Sequence, residues 1–186
     1  MLLDFTQSIA RQRPPSYPAT ILPEIMVYYT YYDSATQTMD SNYIDMLKCL
    51  NKAGVDYIMV GGWAINLYGY IRATVDLDIW ILAEKANAQK VYAALGEFGA
   101  PVSDIKPDDF AAEGIIFQIG VAPCRIDIIT KISGVNYSEA VERAVLKEID
   151  GIPVRVISKE DLIANKKASG RTKDLADVEA LEGLEQ

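Results

Sequence analysis

The sequence predicts an α/β domain of the α+β kind, a mixed sheet with flanking helices and a helical C-terminal end. Three observations predict it. Short apolar segments with strand alternation interleave with amphipathic segments of helical period from residue 41 onward. Several of the strand segments are separated by connections short enough for antiparallel pairing. From Ser158 onward the pattern is helical only.

Each element has its own signals. Ser41 stands where an N-cap would begin a helix through about Ala53, with Ile44, Leu47 and Leu50 on one stripe and Gly54 as its stop. Asp56 to Val60 is a short apolar strand. Gly61-Gly62 forms a turn opening into a short helix through about Tyr68. Val75 to Leu82 is a strand, and Ala86 to Phe98 an amphipathic helix closed by Gly99 and Pro101. A loop containing Pro107 follows. Gly114 to Gly120 and Cys124 to Thr130 read as two strands joined by a short turn. Tyr137 to Val145 reads as a helix and Ile152 to Ile157 as a strand. Ser158 then caps a helix, with Asp161 three residues on, that ends near Gly170. Thr172 starts the last helix, through about Leu181.

With 186 residues, one domain is expected, and a 50% apolar composition can supply its core. Residues 1 to 38 differ from the rest. They hold RQRPPSYP and the tyrosine-rich MVYYTYYDSATQT with no clear period, and read as a poorly ordered extension. The domain is placed at 39 to 186, and Met39 is a candidate native start. No apolar run approaches the ~20 residues of a membrane span, and no compact apolar stretch follows a basic start. The reading is a cytoplasmic protein without a membrane partner.

Composition removes whole classes of chemistry. The chain has no histidine and two cysteines, Cys49 and Cys124, far apart. That argues against a zinc site and excludes Ser-His-Asp and Cys-His catalysis. Any metal must be held by oxygen, which points to Mg2+ or Mn2+. The formal net charge of -8 opposes a general nucleic-acid binder, although a bound metal would change the local sign for an entering RNA end.

The chemistry concentrates in VGGWAINLYGYIRATVDLDIWIL, residues 60 to 82. On the VDLDIWI strand, Asp76, Asp78 and Trp80 share one face, and Leu77, Ile79 and Ile81 the other. Two carboxylates this close in an apolar strand repel each other and lose hydration, so a cation is needed to hold them. Gly61-Gly62, between strand and helix, lets backbone approach a phosphate closely. Asp127, on the strand CRIDII at 124 to 129, shares a face with Arg125. If that strand neighbours the first, Asp127 completes a carboxylate triad and is a candidate general base.

These residues resemble the nucleotidyltransferase superfamily related to DNA polymerase beta. Its pattern is a Gly-Gly or Gly-Ser pair, a short spacer, Asp-x-Asp or Asp-x-Glu, and a third acid on a later strand. Here Gly61-Gly62 is followed by residues 63 to 75 and then Asp76-Leu77-Asp78. The ending LIANKKASGRTKDLADVEAL, 162 to 181, is similar to the minimal, AbiEii-like branch, which includes toxin-type enzymes. GGWAI is similar to aminoglycoside and lincosamide nucleotidyltransferases. The resemblance runs from about Met39 to Leu181. It implies a mixed-sheet nucleotidyltransferase fold and transfer of a nucleoside monophosphate from an NTP to an acceptor hydroxyl. It implies metal ligation by Asp76, Asp78 and Asp127, and nucleotide contact by Gly61, Gly62, Arg72, Lys166 and Asp177. The acceptor stays open between a tRNA end or partner protein, in a toxin-antitoxin arrangement with an operon-encoded partner, and a small antibiotic alcohol. A non-catalytic nucleotide-binding or interaction domain is the third reading.

Plainer readings stand beside these. Asp76 and Asp78 could form a solvated face of an edge strand, and Asp127 could pair with Arg125. Arg72 could be a structural partner of Asp76 or Asp78. Lys166 could be a solvated helix residue, as Lys167 is expected to be, and Asp174 and Asp177 could complement a helix dipole. Trp63 and Trp80 are expected to pack rather than stack on a base.

Overall fold

The computed structural model of the protein describes residues 39–183. The extension expected at 1 to 38 lies outside the described residues. Six strands form one mixed sheet in the order β3-β4-β2-β1-β6-β5. The strands are β1 (Tyr57–Val60), β2 (Asp76–Ile81), β3 (Ile116–Ile119), β4 (Arg125–Ile129), β5 (Val145–Ile149) and β6 (Ile152–Val156). The helices are α1 (Ser41–Lys52), α2 (Gly61–Leu67), α3 (Lys85–Phe98), α4 (Tyr137–Arg143), α5 (Lys159–Ser169) and α6 (Thr172–Gly183). The expected α/β domain with a mixed sheet and helical end is the observed architecture.

The central strands carry the asymmetry that builds both core and site. β1 runs antiparallel to β2, and β4 parallel to β2. Leu77, Ile79 and Ile81 are completely buried, in register with Met59 and Tyr57 on one side and Ile126 and Ile128 on the other. α1 packs on α3 and reaches β6. α1 contributes Tyr43, Met46, Leu47 and Leu50 to the core, a spacing of three to four that puts them on one stripe. Asn87, 2% exposed, ties α3 to the sheet. Its amide accepts from the Asp56 N–H and donates to the carbonyls of Asp56 and Leu82. Those three bonds satisfy backbone groups at adjacent strand ends that would otherwise be buried without partners.

Three local expectations are corrected. The α1 cap is Asp40, one residue before Ser41; its carboxylate accepts the Asn42 N–H at 2.8 Å while Ser41 is already helical. The helix read through Val145 ends at Arg143, and Val145–Ile149 is an edge strand paired with β6. The turn between them is Asp150-Gly151, with φ 49 and 76, the left-handed pair a two-residue hairpin requires. Asp-Gly between alternating segments is a hairpin signal, and the helical period of the preceding segment masked it. The loop around Pro107 contains a 3-10 turn, Pro107–Ala111, which inserts Phe110 into the core at 1% exposure. Ser158 caps α5 as expected, accepting from the Asp161 N–H. Among the described residues, no helix is long and apolar enough to cross a membrane.

Candidate active site

The opposite face of β2 carries Asp76, Asp78 and Trp80. Register places Asp76 beside Arg125, and Asp78 beside Asp127. In this parallel pair, neighbouring residues share a face, so the three acids converge. Carboxylate oxygens of Asp76, Asp78 and Asp127 all lie within 4.8 Å of one another. Asp127 is 6% exposed, and the other two are half-buried. β2 lies between β1 and β4, so the solvated edge-strand reading does not describe these acids.

Polar neighbours fix the cluster. Arg125 reaches Asp76 at 2.5 Å through Nη2 and Asp127 at 2.9 Å through Nε. Gln118, on the far side of β4, donates from Nε2 to both Asp127 oxygens, at 3.2 and 3.4 Å. The Thr74 hydroxyl donates to Asp76 Oδ1 at 3.3 Å. Asp78 receives no such hydrogen bond among the described residues. Burial, then the charges of Asp76 and Asp127, push its carboxyl up to about 6. An oxygen-only donor set this crowded, with one member made reluctant to ionise, fits a hard divalent cation such as Mg2+ or Mn2+.

Gly61 follows directly on β1 at φ 68, and a Cβ there would collide with the Asp78 carboxylate. A Cβ on Gly62 would collide with the Thr74 side chain and come within 3.4 Å of Arg72 Nη1. The glycine pair is thus required by closeness to the acids as well as by the turn. α2 has seven residues, so few peptides align their dipoles toward its start.

The remaining expected residues form a second network. Arg72 pairs with Asp177, Nε to Oδ1 at 2.8 Å, and not with Asp76 or Asp78. Asn66 brackets Arg72, accepting its N–H and donating to its carbonyl. Lys166 is 4% exposed, with Nζ 2.7 Å from Asp174 and 3.2 Å from Asp177. Asp174 is fully buried and also accepts from Ser169 and Arg171. Lys166, Asp174 and Asp177 are therefore neither solvated nor mere dipole complements. Together with Arg72 they tie the α5–α6 helical end to the segment entering β2. Trp63 packs edge-on against Tyr43, with ring centroids 6.1 Å apart, and Trp80 against Tyr137 at 5.0 Å.

Sequence reasoning missed Gln118 and Thr74. Gln118 has no pattern of its own in the chain; only the pairing Gln118↔Asp127 brings it in. Thr74, two residues before Asp76, carried a weak signal as a hydroxyl beside an acid pair.

Comparison with known proteins gives the arrangement a context. No curated protein sequence matches the chain. Among solved structures, the lincosamide antibiotic adenylyltransferase LnuA, lincomycin-bound, has a TM-score of 0.52 at 17% identity, covering 78% of this chain and 97% of that one. The antibiotic-resistance factor ANT(2'')-Ia, in solution, has a TM-score of 0.51 at 19% identity, covering 76% and 80%. ANT(2'')-Ia in complex with adenylyl-2''-tobramycin has a TM-score of 0.52 at 19% identity, covering 76% and 86%. These likenesses establish a shared fold. The family described as "Nucleotidyl transferase of unknown function (DUF2204)" matches residues 39–186, which include the glycine pair, the three acids and the helical end. The chain belongs to that family and is a nucleotidyl transferase.

Proposed function

We propose that the protein transfers a nucleoside monophosphate from an NTP to an acceptor hydroxyl, with Asp76, Asp78 and Asp127 as its catalytic acids. The observation that carries this reading is their convergence to within 4.8 Å on one sheet face beside a glycine turn. The three carboxylates would hold Mg2+ or Mn2+, which when bound neutralises phosphate charge and lowers the barrier to attack at phosphorus.

The chain's own residues do the rest. Gly61 and Gly62 let the turn after β1 run hard against Asp78 and Thr74, so that a triphosphate approaching this backbone lies beside the acids. Arg72, its side chain 27% exposed beside Gly62, supplies a positive charge to the leaving pyrophosphate. Lys166 and Asp177 hold Arg72 and α5 in place and act on the nucleotide through that hold. Asp127 accepts the proton of the acceptor hydroxyl as the new O–P bond forms. The bond from the α-phosphorus to the bridging oxygen breaks, and pyrophosphate departs with its electron pair.

Two acceptor classes follow from the sequence. One is a tRNA end or a partner protein encoded alongside, in a toxin-antitoxin setting, which the similarity of the helical ending to AbiEii-like proteins supports. The other is a small antibiotic-like alcohol, which the net charge of -8 supports when the acceptor is cationic. The intact, converging acids speak against a non-catalytic domain. The test is incubation with each α-labelled NTP, Mg2+ and either RNA, candidate partner protein or amino sugar. Label should move to one acceptor, and Asp76→Ala and Asp78→Ala should abolish transfer while the fold is retained. Full transfer by either variant would refute the assignment.

A further inference from the structure

Arg125 makes ion pairs with two members of the triad at once. Register sets it beside Asp76, and it stands two residues before Asp127 on the same strand face, so its side chain reaches both carboxylates. Nη2 is 2.5 Å from Asp76 Oδ2, and Nε is 2.9 Å from Asp127 Oδ1. The second contact is one of charge, since the Nε–H has no acceptor along its own direction. The side chain is 32% exposed, so most of it is covered by the site.

The acids can serve one ion or two. Each offers one oxygen to a common point, all within 4.8 Å of one another, which suits a single divalent ion. Two-ion sites hold their ions about 3.5–4 Å apart, bridged by shared carboxylates. Here Arg125 already bridges Asp76 and Asp127, and Gln118 adds donors to both Asp127 oxygens. Three carboxylates against one guanidinium leave two negative charges, and one divalent ion cancels them. A second divalent ion would leave two positive charges in excess, beside an arginine that stays protonated at any working pH.

We propose that the guanidinium of Arg125 stands in for one of two metal ions, so that the triad on its own holds a single divalent cation. The proposal rests on the nucleotidyl transfer reading and sets the metal count of that same site. Arg125 is a positioning residue. It keeps Asp76 and Asp127 together before the cation arrives. Afterwards it leaves a fixed positive charge beside Asp127, where the acceptor hydroxyl loses its proton. A nucleotide brings further negative charge on its phosphates, and with it room for an ion of its own.

The experiment counts bound Mn2+ from the electron paramagnetic resonance of the free ion, in a titration of the nucleotide-free protein at about pH 7.5, where carboxylates are ionised. Wild type should bind one Mn2+ per chain, and Asp78→Asn should lose it. Arg125→Gln should bind two, the first about tenfold more tightly than wild type binds its one. Arg125→Lys keeps the charge and should still bind one. It carries the test if the glutamine variant does not fold, which circular dichroism reports. An arginine with a structural role only would leave the count at one in the glutamine variant. The role given to Arg125 is overturned if wild type binds two ions, if Arg125→Gln binds only one, or if Arg125→Lys binds two; the metal role of the acids survives each of these. If neither wild type nor Arg125→Gln takes up Mn2+, the metal role of the acids falls, and the transfer reading falls with it.

Discussion

Arg125 Nη2 lies 2.5 Å from Asp76 Oδ2, across the parallel pairing that sets the two residues side by side on β2 and β4. The same guanidinium reaches Asp127 at 2.9 Å. One arginine therefore pairs directly with two of the three acids, while at Asp78 burial and the repulsion of Asp76 and Asp127 outweigh the attraction of Lys166 and Arg125.

Arg125→Gln removes the internal cation while keeping a side chain of similar length. Without added metal, the variant should lose about 1–3 kcal/mol, because the acids then repel without compensation. Added Mg2+ should stabilise it more than it stabilises the wild type. Thermal melts in EDTA and in Mg2+ provide the check. Equal stability of the two proteins in EDTA would show that Arg125 does not offset the acids.

Asp78 titrates near 6 in the folded chain against an ordinary value of 3.8. The folded state therefore binds the proton more tightly than the unfolded one. Its contribution to stability falls as pH rises from about 4 to about 6, and stays reduced above that. Asp78→Asn should stabilise the metal-free protein at pH 7.5 by about 1–2 kcal/mol. It should also remove the stabilisation by Mg2+. Denaturant unfolding with and without metal measures both, and a variant less stable than wild type in EDTA contradicts the electrostatic account.

Gly61→Ala and Gly99→Ala form a matched pair. Both glycines have positive φ, 68 and 87, so each alanine should cost about 1 kcal/mol through backbone strain. At Gly99 a Cβ meets open space, whereas at Gly61 it strikes the Asp78 carboxylate. Only Gly61→Ala should therefore lose Mg2+ binding, read by calorimetry. Equal metal binding by the two variants would disconnect the glycine turn from the acids.

Asp174 behaves oppositely to Asp78. Burial alone would raise its carboxyl, but hydrogen bonds from Lys166, Ser169 and Arg171 hold it at about 2. Its stabilising contribution is present above the unfolded value near 3.8 and is lost as pH falls from about 4 to about 2. Between those pH values the wild type should lose about 1–2 kcal/mol more than Asp174→Asn does. Parallel acid-unfolding curves for the two proteins would exclude this role.

The sequence by itself determined the elements with strong local signals and the side chains whose type dictates chemistry. Alternation in VDLDIWI puts Asp76 and Asp78 on one face whatever the strand's neighbours, because side-chain period along a strand is two. Absence of histidine limits the metal to oxygen donors, and Ser158 caps α5 through a bond made within four residues. Val145–Ile149 was illegible because an edge strand buries little, so its pattern blends with the preceding helix until Asp150-Gly151 folds it onto β6. Only the tertiary structure decided that Asp127 joins the pair, that Gln118 holds it, that Arg125 also reaches across to Asp76, and that Lys166 turns inward to Asp174 and Asp177. These contacts depend on strand order and helix docking. Their partners are separated by up to scores of residues along the chain, so no local periodicity encodes them.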